Sequence, residues 1–511
     1  MAALDINLRR NLNLISNIFR SKKPLGKLFR TESLCYLYDS GTNKILNCDK
    51  LTFSLLEKLY DMEFDLAIHN FIEENGKESL LESLLTLNKS ISKHNLFGLF
   101  QVSNFDLFPN KKELKDSINT MSNNLGLEVT ERCNLCCSYC VHKKENKEYR
   151  PHGKRNMQIE TAFAAIDYLK KNSKDSNEIS IVFYGGEPLI NLSLIKNSIK
   201  YAKKIFTKQK VSFFMTTNAT KITPEISRHL FTNNVNVNVS IDGPKEVHDR
   251  YRKNLQGKGS YQRAIRGLKY LYEAYGDLFP VKVSLNMVYA PPFSSDQIEK
   301  RASLWNELDW LSYDIHADIS YYIGPRLNNI IHTEDKDLLQ WAFEDYVYNK
   351  QCNKNPHPLA KYLMEKSFAI LSQRAIYKEA TNKFSMNGCC IPGLRRIFVT
   401  TSGDFKLCER IPISAPAIGN VKKGIDFDVL YKVYIKDYGD MSLKICKNCW
   451  AINICDSCFV DGFDYKGMSY EKKEEECKNV RFSTEKQIYY FIKVLEVMPD
   501  LVKYFQAIKL K

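Results

Sequence analysis

The sequence lacks the features of membrane-spanning and disordered proteins. It contains no run of about 18 consecutive apolar residues, so it predicts no transmembrane helix. Residues 1–30 lack the compact apolar core and small-residue cleavage site of a secretory signal. They predict an amphipathic helix that caps the fold, with docking on a membrane surface as the alternative. Internal repeats and low-complexity tracts are also absent, and the 511 residues predict two or three domains.

A concentration of charge is missing as well. Lys and Arg number 74 and Asp and Glu 59, which gives a net charge of +15, but this charge is spread along the chain. A spread of this kind is typical of solvated lysine faces. Nucleic-acid binding would call for patches of basic and aromatic residues, which we do not find. We therefore expect no nucleic-acid partner and no membrane insertion.

Cysteine, in contrast, is abundant, with 15 residues. Clustered cysteines in a large chain without an export signal indicate bound metal rather than disulfides, and hence a cytoplasmic protein. Four lie within residues 133–140, and Cys408 precedes five within residues 446–477. The isolated Cys35, Cys48 and Cys352 predict buried thiols.

Residues 1–124 predict an N-terminal α+β module. Strands are expected at 34–38 and 44–47 around the turn residues 40–43, followed by segments with leucines at helical spacing. A hairpin with two or three helices is typical of a winged-helix module, which can bind a peptide along a strand edge. A plain packing extension is the alternative.

Residues 125–320 alternate strand-like and helix-like patterns. The six predicted strands are 125–130, 179–184, 211–217, 235–241, 281–288 and 312–319. The amphipathic segments between them are 159–169, 194–205, 224–231, 261–272 and 295–308. Apolar runs separated by helices indicate a parallel sheet. Six repeats predict a partial (β/α)6 TIM-like barrel of the α/β class, with its chemistry at the carboxyl ends of the strands.

The remainder of the chain predicts three further parts. Residues 321–384 form a helical linker region in this interpretation. Residues 385–480 are rich in cysteine and poor in regular periodicity, as expected where metal clusters replace an apolar core. Residues 481–511 predict a C-terminal helix that packs back through Tyr489, Tyr490 and Phe491.

The segment after the first predicted barrel strand carries Cys133, Cys137 and Cys140 in the spacing C-x3-C-x2-C. Three thiolates on a [4Fe–4S] cluster leave one iron open to an exogenous ligand. A zinc loop is the alternative because His142 lies nearby, although zinc sites more often show two C-x2-C pairs. Cys136 lies outside the spacing and has no assigned role.

Glycine and polar residues follow the next three predicted strands. They are Gly185, Gly186, Glu187 and Pro188 after the second strand, Asn218 after the third, and Ser240, Asp242 and Arg252 after the fourth. The glycines allow close approach of a ligand to the main chain. The polar side chains suit hydroxyl and carboxylate groups, and a guanidinium suits a carboxylate. The alternatives are a simple strand–helix turn for the glycine segment and a solvated charge run around the arginine.

These motifs together resemble the radical S-adenosylmethionine (SAM) superfamily, including the aromatic Tyr139 before the third cysteine. The resemblance implies that the open iron of a [4Fe–4S] cluster is chelated by SAM, which is cleaved to a 5′-deoxyadenosyl radical. It also implies that Tyr139 lies against the adenine, that Glu187 binds the SAM ammonium group and that Arg252 pairs with the SAM carboxylate. Ala219 departs from the family pattern, in which glycine is usual.

The later cysteines resemble the SPASM domain of radical SAM enzymes that modify peptides and proteins. This resemblance implies two auxiliary [4Fe–4S] clusters, and thus three clusters in all. The implied ligands are Cys446, Cys449, Cys455 and Cys477 for the distal cluster, and Cys390, Cys408 and Cys458, with Cys389 as a candidate fourth, for the nearer one. The x2 spacing before Cys458 departs from the usual x3. A zinc ribbon is the alternative.

The resemblance sets the reaction class and leaves the substrate open. The first hypothesis is a maturase of ribosomal precursor peptides that binds leader and core and forms Cys thioether crosslinks, as sactisynthases do. The second is an anaerobic sulfatase-maturing enzyme that produces formylglycine, with Glu409 as the catalytic base where Asp is usual. Peptide carbon–carbon crosslinking or epimerisation is a further alternative. The implied electron donor is of the flavodoxin or ferredoxin type.

Overall fold

The computed structural model describes residues 2–105, 110–291, 295–321 and 331–509. These residues build a mixed α/β fold with a three-stranded and a ten-stranded sheet. None of the helices described is both long and apolar enough to cross a lipid bilayer. The predicted fold class is confirmed, since the central sheet is parallel over its barrel strands.

The N-terminal part contains a small antiparallel sheet covered by helices. Its elements are α1 (Ala2–Phe19), β1 (Gly26–Arg30), β2 (Cys35–Asp39), β3 (Lys44–Cys48), α2 (Lys50–Asp61), α3 (Phe64–His94) and α4 (Lys111–Met121). The predicted hairpin is confirmed as β2 and β3, while β1 was not predicted. Helix α3 is kinked at Gly76, where φ is 83°.

The turn between β2 and β3 anchors this part to the C-terminal region. Asp39 accepts hydrogen bonds from the Thr42 amide and hydroxyl at 2.8 and 2.7 Å, which fixes the turn. The Ser40 hydroxyl then donates to the Trp450 carbonyl at 2.6 Å. The Asn43 amide donates to the Ala375 carbonyl at 2.8 Å. The N-terminal sheet therefore packs against distant segments of the chain.

The central part alternates strands and helices as predicted. Its elements are β4 (Asn124–Thr130), α5 (Ile159–Lys171), β5 (Glu178–Gly185), α6 (Leu192–Ile205), β6 (Lys210–Thr217), α7 (Pro224–Thr232), β7 (Val235–Ser240), α8 (Lys245–Tyr251), α9 (Tyr261–Tyr275), α10 (Phe279–Lys282), β8 (Val283–Tyr289), α11 (Ser295–Ala302), α12 (Leu304–Glu307) and β9 (His316–Tyr321). The predicted sixth strand begins later than expected, at His316. Strand β7 is not a continuous apolar run: Val235, Val237 and Val239 are buried, while the alternating asparagines are half-buried.

Strands β4 to β9 lie side by side in chain order, each parallel to the next. The core of the barrel consists of alternate strand residues such as Leu125, Leu127 and Phe183, which are fully buried. Parallel strands place all their carboxyl ends at one edge, so the segments that follow β4, β5, β6 and β7 meet there. This edge carries the predicted site.

The C-terminal part joins the same sheet, which was not predicted. Its elements are α13 (Ile331–Gln351), α14 (Pro358–Gln373), β10 (Ile397–Val399), β11 (Asp404–Lys406), β12 (Gly419–Asn420), β13 (Gly424–Ile425), α15 (Phe427–Val429), a π-helical turn (Leu430–Asp437), α16 (Tyr438–Cys446), α17 (Tyr470–Val497) and α18 (Leu501–Ala507). Strand β10 pairs in parallel with β4 and extends the sheet at that edge.

Two C-terminal predictions need adjustment. The expected C-terminal helix does not begin after residue 480, because α17 starts at Tyr470 and carries Cys477. Its buried Tyr490 and Phe491 do pack back as predicted, while Tyr489 is half-exposed. The predicted helical character of 321–384 holds for α13 and α14, and residues 322–330 lie outside the described residues.

Candidate active site

Main-chain hydrogen bonds hold the first cysteine loop (residues 133–140) at the end of β4. The Cys136 amide donates to the Lys253 carbonyl at 2.7 Å, and the Ser138 amide donates to the Tyr251 carbonyl at 3.0 Å. On the other side, the Glu187 amide donates to the Arg132 carbonyl at 2.9 Å. The loop is thereby fixed between the segments that follow β5 and β7.

The three predicted ligands in this loop are half-buried thiols that affect one another. Burial raises the pKa of Cys133 to about 12, and the nearby Cys137 and Cys140 add to the increase. Burial also raises the pKa of Cys137 to about 11. A bound metal cation removes this penalty because it stabilises the thiolate. The donor set therefore fits the three-thiolate cluster that the spacing predicts.

Two histidines, of which only His142 was noted from the sequence, lie beside the third thiol. His152 Nε2 is 3.3 Å from Cys140 Sγ, and the two imidazole rings are 5.4 Å apart. His142 Nδ1 bonds the Arg150 carbonyl at 2.8 Å. In the described segments no three His, Cys, Asp or Glu side chains converge as ligands of a single metal ion would. A four-iron cluster binds each thiolate through a separate iron and needs no such convergence.

Gly185 and Gly186 bring the end of β5 against this loop. A Cβ at Gly185, whose φ is +146°, would lie 2.2 Å from the Thr130 carbonyl oxygen. A Cβ at Gly186 would lie 2.3 Å from the Arg132 carbonyl oxygen. Both positions therefore exclude side chains for a packing reason that the sequence did not show.

Glu187 joins the ends of β5 and β6. Its carboxylate accepts hydrogen bonds from the Thr217 hydroxyl at 2.7 Å, the Asn218 amide at 2.8 Å and the Leu189 amide at 3.1 Å. Burial raises the pKa of Glu187 above its ordinary value, and these donors only partly offset the increase. Pro188 begins the short turn that follows. Binding of the SAM ammonium group by Glu187 stays a prediction.

Asn218 reaches back to the first cysteine loop. Its amide nitrogen donates to Asn134 Oδ1 at 3.0 Å, and its oxygen accepts from the Thr220 hydroxyl at 2.7 Å. The next residue, Ala219, has a φ of +57° and is fully buried. A left-handed conformation costs a residue with a side chain about 1 kcal/mol, which explains why glycine is usual at this position.

Asp242, which is fully buried, is the centre of a polar network. One oxygen accepts from the Tyr139 hydroxyl at 2.5 Å and from Arg252 Nε at 2.9 Å. The other accepts from Arg252 Nη2 at 3.1 Å and from the Val288 amide at 2.9 Å. Burial alone would raise the pKa of Asp242, but the charge and hydrogen bonds of Arg252 lower it below its ordinary value.

Arg252 therefore has Asp242 as its partner in this structure, and its guanidinium lies 5.4 Å from the centre of the Tyr139 ring. The predicted contacts of Arg252 with the SAM carboxylate and of Tyr139 with the adenine stay predictions. Ser240, at the end of β7, is buried beside them. The alternative of a solvated charge run does not apply to Arg252, which is 6% exposed.

Arg301 was missed by the sequence reasoning. It is fully buried on α11, and its charge interacts with Asp242. Its Nη1 donates to the Gln297 carbonyl at 2.9 Å, while Nε and Nη2 have no hydrogen-bond partner among the described residues. An arginine within an amphipathic segment gives no sequence signal that would distinguish it from a surface charge.

The structure brings together the four cysteines that were predicted to bind the distal cluster. Cys446 ends α16, Cys477 lies on α17, and Cys449 and Cys455 lie on the turns between these helices. Burial raises the pKa of Cys446 to about 12, and Cys449 and Cys477 contribute. Burial and Cys449 likewise raise the pKa of Cys455.

Three of the cysteines predicted for the nearer cluster, Cys389, Cys408 and Cys458, also lie close to one another. Burial raises the pKa of Cys458 to about 12, with contributions from Asp461 and Cys408. Burial also raises the pKa of Cys389, and Cys458 adds to this effect. Cys390 is exposed, so Cys389 is the inward-facing member of the adjacent pair. This arrangement favours Cys389 as a ligand.

Glu409, the predicted base, is paired with an arginine. Arg396 Nη1 donates to both of its carboxylate oxygens at 2.8 Å. Tyr184, at the end of β5, lies near both this segment and the first cysteine loop, since burial, Glu409 and Cys140 raise the pKa of its hydroxyl. The centre of its ring is 5.9 Å from that of Phe398 on β10. The two cysteine-containing regions meet directly where the Thr401 hydroxyl, after β10, donates to the Glu131 carboxylate at 2.8 Å.

Comparison with known proteins decides the family. The model of the Radical SAM superfamily matches residues 127–304. The cysteine-type anaerobic sulfatase-maturating enzyme of Clostridium novyi (strain NT) is 30% identical over 344 residues, which cover 64% of this chain and 85% of that protein. The chain belongs to the radical SAM superfamily. Its cofactors therefore include SAM and a [4Fe–4S] cluster.

Further matches to this radical SAM enzyme are shorter or more distant. The serine-type anaerobic sulfatase-maturating enzyme of Bacteroides thetaiotaomicron is 36% identical over 141 residues, 27% of this chain and 34% of that one. Three relatives at 34–36% identity are matched over only 32–55% of their own length. A solved structure of native anSMEcpe with bound AdoMet has a TM-score of 0.54 at 19% identity and covers 74% of this chain and 100% of that one. This likeness shows the fold.

Proposed function

We propose that this radical SAM enzyme is a peptide maturase that forms thioether links between a cysteine sulfur and a carbon of a ribosomally made precursor. The observation that carries the proposal is the contact between the strand before Cys408 and the start of the first cysteine loop: β10 pairs with β4, and the Thr401 hydroxyl donates to the Glu131 carboxylate at 2.8 Å. It puts the region where a hydrogen atom is removed beside the segment that carries Cys408. A substrate held between them is accessible to both.

The residues at this edge of the sheet have separate roles in the proposed reaction. When bound, SAM and its cluster supply a 5′-deoxyadenosyl radical, and two auxiliary clusters supply an electron acceptor. Thioether formation removes a hydrogen atom from carbon and a proton from a thiol, forms a carbon–sulfur bond and releases one electron. Asp242 and Arg252 orient SAM in this proposal, and Glu409 receives the thiol proton. Arg396 keeps Glu409 in place through its two hydrogen bonds.

The test uses the anaerobically reconstituted enzyme, SAM, dithionite and a cysteine-containing peptide encoded beside the gene. We expect formation of 5′-deoxyadenosine and a peptide that has lost two hydrogen atoms and one free thiol per link. Mass spectrometry after thiol alkylation measures both. An unchanged peptide mass, together with 5′-deoxyadenosine formation, would contradict the thioether proposal and leave the radical SAM assignment intact.

Sulfatase maturation is the second candidate function. It is favoured by the 30% identity to a cysteine-type anaerobic sulfatase-maturating enzyme over 85% of that protein, and by Glu409 directly after Cys408. The discriminating substrate is a cysteine-containing sulfatase peptide. An aldehyde product that reacts with a hydrazine and has exchanged sulfur for oxygen would establish this function. The thioether product on the encoded peptide, with no aldehyde on the sulfatase peptide, would exclude it.

The N-terminal module (residues 1–124) is proposed to bind the leader of the precursor. Among the described residues, β3 pairs only with β2, which leaves one edge of the strand available to a peptide. An added strand would cover the main-chain amides of residues 44–48. Hydrogen exchange of these amides should slow when the leader peptide is present. Unchanged exchange alongside normal peptide modification would indicate that this part serves packing only.

An acidic electron donor of the flavodoxin or ferredoxin type is proposed to dock beside the distal cysteines. A groove of about 340 Å³ there is lined by Cys449 and Trp450, and its charged residues are three cations and one carboxylate: Lys444, Lys478, Arg481 and Glu474. Its charge complements such a donor, and one predicted cluster ligand lies in its wall. Reduction by flavodoxin should slow with added salt, while reduction by dithionite stays unaffected. The oxygen sensitivity of such clusters favours an anaerobic cytoplasm.

A further inference from the structure

Lys473 is a buried cation among the C-terminal cysteines. It lies on α17, is 2% exposed and is one helical turn before Cys477. Its ammonium donates to the Ser457 hydroxyl at 2.6 Å and to the Tyr438 hydroxyl at 2.8 Å. No ion pair joins it to a carboxylate within the described residues.

The two hydroxyl groups place Lys473 between the two sets of predicted ligands. Ser457 lies between Cys455, assigned to the distal cluster, and Cys458, assigned to the nearer one. The Tyr438 hydroxyl donates to the Cys458 carbonyl at 2.7 Å, and the Cys389 thiol donates to the Ser457 carbonyl at 3.8 Å. Lys473 is therefore linked through single hydroxyl groups to segments of both sets.

The charge of Lys473 needs compensation. Burial alone would lower its pKa, but Cys477, Cys389, Asp461 and Cys455 raise it above the ordinary value. Burying an ammonium ion without an opposite charge costs several kcal/mol. Asp461 is connected to Lys473 only through the Ser457 hydroxyl, from which its carboxylate accepts a hydrogen bond at 2.9 Å. The remaining anions within reach are cysteine thiolates, which cysteines become when they bind iron.

We propose that Lys473 is the shared counter-cation of the two auxiliary iron–sulfur clusters, an assignment that rests on the proposed function. Clusters held by thiolates are anionic, and each reduction adds negative charge. A fixed positive charge near a cluster therefore makes its reduction easier. One buried lysine between both clusters raises both potentials together, which assists their role as electron acceptors.

The test compares Lys473→Met, which removes the charge and keeps the apolar length, with Lys473→Arg, which keeps the charge. Lys466→Met is the matched control because it removes an exposed lysine from the same region. Anaerobic redox titrations followed by electron paramagnetic resonance measure each cluster. We expect both auxiliary clusters to shift to lower potential in Lys473→Met, with the first cluster as an unchanged internal reference. Lys473→Arg and Lys466→Met should match the wild type.

The outcomes separate this proposal from the proposed function. Iron-loaded Lys473→Met with unchanged auxiliary potentials, or with a shift in only one cluster, would overturn the shared role. If Lys473→Met does not fold, Lys473→Gln takes its place, since it retains a donor to Ser457 and Tyr438 without the charge. Absence of any iron beyond the first cluster in the wild type would instead refute the auxiliary clusters themselves.

Discussion

The first cysteine loop and the C-terminal cysteine region (residues 389–477) use the same side chain but are built differently. The first loop presents its three thiols within eight residues of one segment, and its main-chain amides donate to the carbonyls of Lys253 and Tyr251. The C-terminal thiols come from separate loops and helices that only tertiary packing brings together. The first site is thus defined by local spacing, and the second by the fold around it.

The charges beside the two regions differ as well. His152 Nε2 lies 3.3 Å from Cys140 Sγ, and the His142 ring is tilted against the His152 ring at 5.4 Å. No histidine occurs in residues 385–480, where buried Lys473 stands among the thiols instead. Burial lowers the pKa of both histidines, to about 4 for His142, so they are neutral near pH 7. Lys473 is a cation whose pKa lies above its ordinary value. The first region therefore has neutral ring nitrogens beside its thiols, while the second has a fixed positive charge.

The largest expected effect is the loss of SAM cleavage in a variant of the first cysteine loop. Cys137→Ala should abolish 5′-deoxyadenosine formation, because two thiolates do not hold the open-iron cluster. Cys455→Ala should retain SAM cleavage and lose the modified peptide. Quantifying 5′-deoxyadenosine and peptide product in parallel checks both variants. Persistent SAM cleavage in Cys137→Ala would contradict the assignment of the first loop, and loss of cleavage in iron-loaded Cys455→Ala would contradict the division between the regions.

The first region was predictable because its information is local. The cysteine spacing, the paired glycines and the polar residues after successive strands occupy short segments, and parallel strands bring their ends to one edge. Strands β10 to β13 escaped prediction because they have only two or three residues each. They are stabilised by pairing, β10 with β4 and each later strand with the one before it, rather than by a pattern of their own. Their attachment also determines where Glu409 lies.

The buried cations escaped prediction for another reason. Lys473 stands in the sequence Lys472-Lys473-Glu474, which reads as a solvated charge run. Its neighbour Lys472 forms a partly buried ion pair with Glu148 at 2.6 Å, whereas Lys473 is 2% exposed and lies among the cysteines. Arg301 similarly resembles a surface residue of an amphipathic helix. Only packing against residues distant in the chain decides which cation is buried.

The second prediction compares the stability that is lost when one ion pair is broken in each region. Asp242→Asn leaves the buried Arg252 without its counter-charge and should destabilise the fold by about 3–5 kcal/mol. Glu409→Gln breaks the ion pair with Arg396. The Glu409 side chain is 20% exposed and that of Arg396 is 35% exposed, so the free energy of unfolding should fall by less than about 1 kcal/mol. Anaerobic denaturant unfolding measures both. Equal losses would show that the two pairs are not differently buried.

The smallest expected effect is the pH dependence of stability that His248, a buried residue of the barrel, causes. Burial lowers the pKa of His248 to about 4, and its Nε2 lies 3.0 Å from the Ser260 hydroxyl. In the unfolded chain a histidine binds its proton near pH 6.5, so between about pH 6.5 and 4 the unfolded state binds more protons and stability falls as pH falls. From pH 7 to pH 5 this one residue should cost about 2 kcal/mol.

His248→Gln removes this proton uptake and should reduce the loss of stability between pH 7 and pH 5 by that amount. His69→Gln is the matched control, because the side chain of His69 is 64% exposed. Unfolding midpoints at the two pH values, measured anaerobically for the wild type and both variants, provide the comparison. If His248→Gln loses as much stability as the wild type on acidification, the pH dependence does not arise beside Asp242.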